Sequence, residues 1–249
     1  MAKNPNNKNK ARSIKRDDAL TGGMIFFVAG CIAEFFLWAV RRYYINGYID
    51  EALLWHDRLK VFAGVGVAVL LAGVALSVLW KKDAGKRVFG WALGALGAFF
   101  AAGSILIRMY ESSAVTLLSV VVPVGMVLSI LWALYDRECS VALTVLCASL
   151  IVVWVCRKLI SSMALGIPVR IIAVIYLLAV AALVWLVKQG KLGKLLPANA
   201  DILPLYIAGG LSAAAILVAL FSATAAYYAM WCLGVVAFAL AVYYTVKLL

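Results

Sequence analysis

VFAGVGVAVLLAGVALSVLW, residues 61–80, decides the fold class. None of its side chains is charged, and Lys81 and Lys82 follow at once. As a helix at 1.5 Å per residue the run is about 30 Å long, the thickness of a bilayer's hydrocarbon core. A helix that is apolar all round has no water-facing side to offer. The stretch reads as a membrane-spanning helix.

Comparable apolar runs lie on either side, at 22–40, 88–107, 114–135, 139–156, 169–187, 203–221 and 227–246. Each is long enough to cross as a helix, so the chain reads as eight spans. The last two runs are parted only by Ser222 to Ala226, yet residues 206–249 are too long for one crossing and fit a tight hairpin. Bulk composition agrees: 66% of residues are hydrophobic and 14% charged, with a mean hydropathy of +1.04. A soluble domain is about half apolar and a quarter charged, so a soluble enzyme is excluded. The fold class is all-α, a polytopic helical membrane protein with eight transmembrane helices. The expected divisions are a disordered basic cytoplasmic tail over 1–21, a first four-helix membrane repeat over 22–135 and a second over 136–249.

The net charge of +12 serves insertion rather than nucleic acid, because the basic residues fall mainly between the apolar runs. With both ends on one side, that side carries 15 Lys and Arg, including the tail, Lys81, Lys82, Lys86, Arg87, Lys188, Lys191 and Lys194. The other side carries 8. The bias predicts cytoplasmic N- and C-termini in a plasma membrane. Anionic lipid headgroups are the expected partners for the charge, protein partners are allowed, and no nucleic acid is expected. The five cysteines form no CxxC pair, so no metal, cofactor or disulfide framework is expected. Val28-Ala29-Gly30-Cys31 loosely resembles a lipoprotein cleavage box, but the apolar run continues through Phe35, Phe36 and Leu37. A retained first helix is the better reading.

An internal duplication is visible. Cys31, Trp38, Arg41 and Arg42 recur as Cys147, Trp154, Arg157 and Lys158, and Ile105-Leu106-Ile107 recurs as Ile216-Leu217-Val218. Four spans per unit make a 4+4 repeat parallel, its axis along the membrane normal. Chance matching within hydrophobic composition is the alternative. Gly90, Gly94, Ala98 and Ala102 recur at every fourth position in span three, and span seven carries Gly209, Gly210, Ser212, Ala213 and Ala214. Small ridges let helices approach closely in lipid, so these two spans are expected to form the central contact between the halves.

Three features carry functional expectations. Pro123, near Gly125, should kink span four, and its aligned position in span eight is Gly234. Helix breakers at matching midplane positions point to a transporter-like site, or to packing kinks without a ligand. Glu34 lies inside span one, with Arg108 as its expected partner; Leu150 and Ala219 replace them in the second half. A membrane-embedded carboxylate is either a register-fixing ion pair or a proton- or cation-coupling group. Arg41, Arg42, Arg157 and Lys158 frame an outer anion site, or anchor the helices at the interface. The outer loop Tyr43 to Asp57 suggests a short surface helix, and its His56, the only histidine, has no evident catalytic companions. No catalytic residue is assigned. The expected function is a small transporter or lipid-handling permease with its site between the halves; the alternative is a non-catalytic scaffold or complex subunit.

Overall fold

Among the described residues of the computed structural model, seven helices are each long and apolar enough to cross a membrane. The structure describes residues 5–80, 83–135, 137–159, 166–189 and 202–248, without the side chains of 5–19, 84, 247 and 248. The helices are α1 (Pro5–Val40), continued by a π turn (Arg41–Ile45), α2 (Ile49–Leu79), α3 (Ala84–Leu134), α4 (Arg137–Leu159), α5 (Gly166–Lys188), α6 (Leu203–Phe221) and α7 (Ala223–Leu248). No strand occurs among the described residues. Large apolar side chains such as Phe35, Leu71, Leu178 and Phe238 face outward. That is the arrangement of a multi-pass integral membrane protein, whose solvent is hydrocarbon.

Two helices begin before the spans expected from the sequence. The described backbone is helical from Pro5, within the stretch 1–21 expected as a tail. Lys and Arg with Ala are good helix formers even without a buried face. The short surface helix expected after Tyr43 is instead the start of α2, which runs unbroken for 31 residues from Ile49. Asp50 and Glu51 occupy its first turn, where carboxylates favour the positive end of the helix dipole. Lys81, Lys82, Lys191 and Lys194, which contribute to the orientation count, lie outside the described residues.

Spans three and four both lie on α3, whose 51 residues would extend about 77 Å if straight. It is not straight. Glu111 has φ 44° and ψ −119°, outside the helical region, and the chain doubles back there. Leu118 Cδ1 consequently stands 3.5 Å from where a Cβ on Gly103 would be, although 15 residues separate the two along the helix. The backbone leaves helical dihedrals at Glu111 and not at Pro123, where the kink was expected.

The chain divides into two compact units, Met1–Leu134 and Tyr135–Leu249. In the first, α3 packs against both α1 and α2. Its seam with α2 is backbone on backbone: Gly90 faces Ser77, Gly94 faces Gly73, Gly97 faces Leu70 and Ala101 faces Gly66. The ridge is thus 90-94-97-101 rather than every fourth residue, and Ala102 is exposed. With 3.6 residues per turn, steps of four drift about 40° each, while alternating steps of four and three stay on one face. The small residues of span three thus pack on α2 of the same unit. Close approach is what dispersion needs, because lipid supplies no hydrophobic force between helices.

In the second unit α4 packs against α6 and α7, and α5 packs against α6. Gly209 of α6 receives Val184 and Val180 of α5. Helices α6 and α7 part at Ser222, an extended residue whose hydroxyl accepts from the Ala225 amide at 3.3 Å. Serine here is an ordinary N-cap.

Candidate functional site

The richest polar grouping of the first unit gathers where α1 ends and α2 begins. The π turn Arg41–Ile45 closes with the Asn46 amide donating to the Arg41 carbonyl at 3.1 Å. Widening this turn brings two consecutive tyrosines onto α2. Tyr43 stacks on Trp55 with ring centroids 5.8 Å apart, and the Tyr44 hydroxyl meets His56 Nδ1 at 3.2 Å. Single π turns inside α-helices occur frequently at functional sites. Gly47 makes the return to α2 possible, because a Cβ there would collide with the Tyr43 carbonyl oxygen.

Arg108, near the end of the first arm of α3, reaches the same place. Its Nη2 lies 3.3 Å from His56 Nε2. A guanidinium has only donors, so Nε2 must accept and His56 is neutral with its proton on Nδ1. Nδ1–H then donates to the Tyr44 oxygen. Glu111 and Arg108 are both near enough to Tyr44 for their charges to act on its hydroxyl. Asp57, one residue beyond His56, is taken by Lys60 in a 2.7 Å ion pair. Underneath, Val40, Leu59 and Ile107 are fully buried and close the cluster from below. Phe36, Phe62 and Phe100 pack beside them edge and face.

Two properties make this cluster unusual. Arg108 is half-buried, makes no ion pair among the described residues, and its Nε is enclosed without a hydrogen-bond partner. An unmet charged donor costs more than an unmet neutral one. Glu111 adopts a positive φ that resembles the first central position of a type II′ turn, a place for glycine. Such conformations cost about 1–3 kcal/mol and cluster at working sites.

Glu34 is not part of this cluster. It sits on α1, half-buried, with Oε1 enclosed and without a hydrogen-bond partner, and it makes no ion pair with Arg108. Arg108 has gone to His56 instead, a residue that lacks evident companions in the sequence because its partners come from α1 and α3. Pro123 is exposed. Its neighbours Val122 and Gly125 line an apolar cavity of ≈ 210 Å³ with Gly30, Ala33, Phe99 and Met126. A longer apolar groove of ≈ 470 Å³ runs between α1 and α3, from Thr21 and Met24 to Ile32 and Leu96. Gly234, on α7, has no atom within 4 Å of an added Cβ. Arg41 and Arg42 are exposed at the π turn. Arg157 lies 4.5 Å over the Tyr227 ring and Lys158 lies 5.9 Å over Trp154, which suits interfacial anchors.

No protein-family model, curated relative or solved structure matches the chain. Among the described residues no group of His, Cys, Asp and Glu is arranged to hold a metal ion. The Tyr44–His56–Arg108 cluster joins a phenol, an imidazole and a guanidinium where α1 gives way to α2.

Proposed function

We propose that the protein is a small transporter or lipid-handling permease that acts on an anionic substrate through the Tyr44–His56–Arg108 cluster. The observation that carries this reading is Arg108, a half-buried guanidinium with an enclosed, unbonded Nε and no ion pair among the described residues. Ionisable groups within spans are rare and include those that line substrate and ion paths. The apolar groove between α1 and α3 offers an acyl chain a place in the same unit. Eight crossings belong to this proposal, α3 supplying two of them by turning at Glu111. So does the 4+4 repeat. Its support is that both units put the first helix against the third and fourth segments, and that Glu111 aligns with Ser222, where the second unit breaks. With cytoplasmic termini in the plasma membrane, the cluster faces outward.

Anionic lipid and phosphate transfer in vesicles containing the full chain tests the proposal, with Arg108→Gln as the control. The scaffold reading rests on a different observation: the α2/α3 seam is backbone against backbone and the lining beside Pro123 is apolar. It is preferred if the native chain transfers nothing.

A further inference from the structure

We propose that the cluster binds a phosphate-type anion together with a proton, His56 taking up that proton at Nε2 as the anion displaces it from Arg108. This rests on the reading above that the cluster is the polar site, and it names the ligand chemistry and the coupling.

The argument begins with what Arg108 has to offer. One Nη2 donor is committed to His56 Nε2 at 3.3 Å, the long end of the hydrogen-bond range, and Nε has no partner at all. An oxyanion is a stronger acceptor for a guanidinium than a neutral imidazole is, because it sets a full negative charge against the positive donor. A planar guanidinium edge can hold two oxygens of one anion side by side. The anion therefore competes successfully for Arg108, and His56 loses the donor that its Nε2 lone pair was accepting.

That lone pair would then face an anionic oxygen, acceptor against acceptor. Protonation at Nε2 resolves the conflict: a new N–H bond forms, the ring becomes imidazolium, and Nε2–H donates to the anion. No bond to carbon changes, and the only addition besides the anion is one proton from solvent. Nδ1–H keeps its hydrogen bond to the Tyr44 oxygen. Three donors from two side chains (Arg108 Nε, Arg108 Nη2 and His56 Nε2) now converge. A carboxylate's oxygens accept best in one plane, whereas the free oxygens of a phosphate, monoester or diester, are arranged tetrahedrally and also accept from outside the plane of the Arg108 edge, which favours phosphate.

The surrounding charges permit the extra proton. Tyr44 faces His56 from the turn after α1, Asp57 and Lys60 sit on His56's own helix as an ion pair whose carboxylate also feels His56 and Arg108, and Arg108 and Glu111 come from α3. Without an anion, an imidazolium would stand against the Arg108 guanidinium with like charge. With the anion between them both cations are compensated, and Glu111 adds a further negative charge nearby.

The test is calorimetric titration of the full chain in a non-ionic detergent. Inorganic phosphate and a short-chain phosphatidylglycerol serve as separate probes, each run at one pH in two buffers of different ionisation enthalpy. The difference between buffers counts protons taken up per anion bound. About one proton is expected for the native chain. His56→Gln, which can still accept from Arg108, is expected to bind about tenfold more weakly with proton uptake abolished. Arg108→Gln is expected to bind at least about 100-fold more weakly. Phosphate binding identifies a free anion as the source, and binding of the lipid alone identifies a headgroup; either supports the site. Binding by the native chain without proton uptake overturns the proposal, as does undiminished uptake in His56→Gln or the absence of binding by both probes. The native proton count stands even if a variant fails to fold. Proton-linked binding without transfer in vesicles would refute the permease reading and leave this site standing; transfer without proton linkage would do the reverse.

Discussion

Gly64→Ala and Gly66→Ala, two positions apart on α2, should move stability in opposite directions. At Gly64 nothing lies within 4 Å of an added Cβ. The methyl meets no protein atom there, and helix propensity alone favours alanine by about 0.5–1 kcal/mol. At Gly66 the added carbon would stand 2.9 Å from the Gly97 carbonyl oxygen and 2.9 Å from the Phe100 carbonyl carbon, and closer still to the Ala101 nitrogen. Ordinary contact is about 3.5–4.0 Å, so the two helices must part by about 1 Å. Backbone cannot rotate out of the way as a side chain can. The seam is equally tight at Gly73 and Gly97, so the displacement is felt along its length. Overpacking of this kind costs about 1–3 kcal/mol. Set against the propensity gain, Gly66→Ala should destabilise by about 1–2 kcal/mol. The assay is unfolding of the full chain in mixed micelles with rising dodecyl sulfate, followed by circular dichroism. Equal shifts for the two variants, or stabilisation by Gly66→Ala, would refute the backbone-on-backbone account of the seam.

Other consequences are as direct. Glu111→Gly should raise stability in the same assay by about 1 kcal/mol by releasing the positive φ, whereas Glu111→Ala, which keeps the strain, should not. Gly47→Ala should destabilise by about 1–3 kcal/mol through the clash with the Tyr43 carbonyl, and the altered Tyr43–Trp55 stack should be visible in tryptophan fluorescence. Arg157→Ala should cost about 0.5–2 kcal/mol for the guanidinium over Tyr227, and Lys158→Ala less, since its ammonium stands farther from Trp154; unfolding midpoints of the two variants make the comparison.

The helices themselves were legible in the sequence, because an uncharged run such as 61–80 leaves few physical options. Register was not. Gly90 and Gly94 are on the packed face as expected, but their companions are Gly97 and Ala101, and the partner residues Gly66, Gly73 and Ser77 stand on α2 at matching four-and-three spacing. That shared spacing was readable in both stretches and would have paired the two helices. The site was half legible: Arg108 was singled out, but its contact with His56 depends on how α2 and α3 align. His56 looked solitary because its neighbours are separated from it by 12 and 52 positions in the chain. Nothing local to Glu111 marks a positive φ, since glycine is the usual residue there and is absent.

Vesicles holding the full chain, loaded with phosphate or asymmetrically labelled phosphatidylglycerol, provide the most direct measurement of the central claim. The account predicts transfer by the native chain, a loss of at least about tenfold in Arg108→Gln, and partial retention in Arg108→Lys, which keeps the charge and loses the fork. Equal rates in the native chain and Arg108→Gln, or no transfer by the native chain at all, would contradict it.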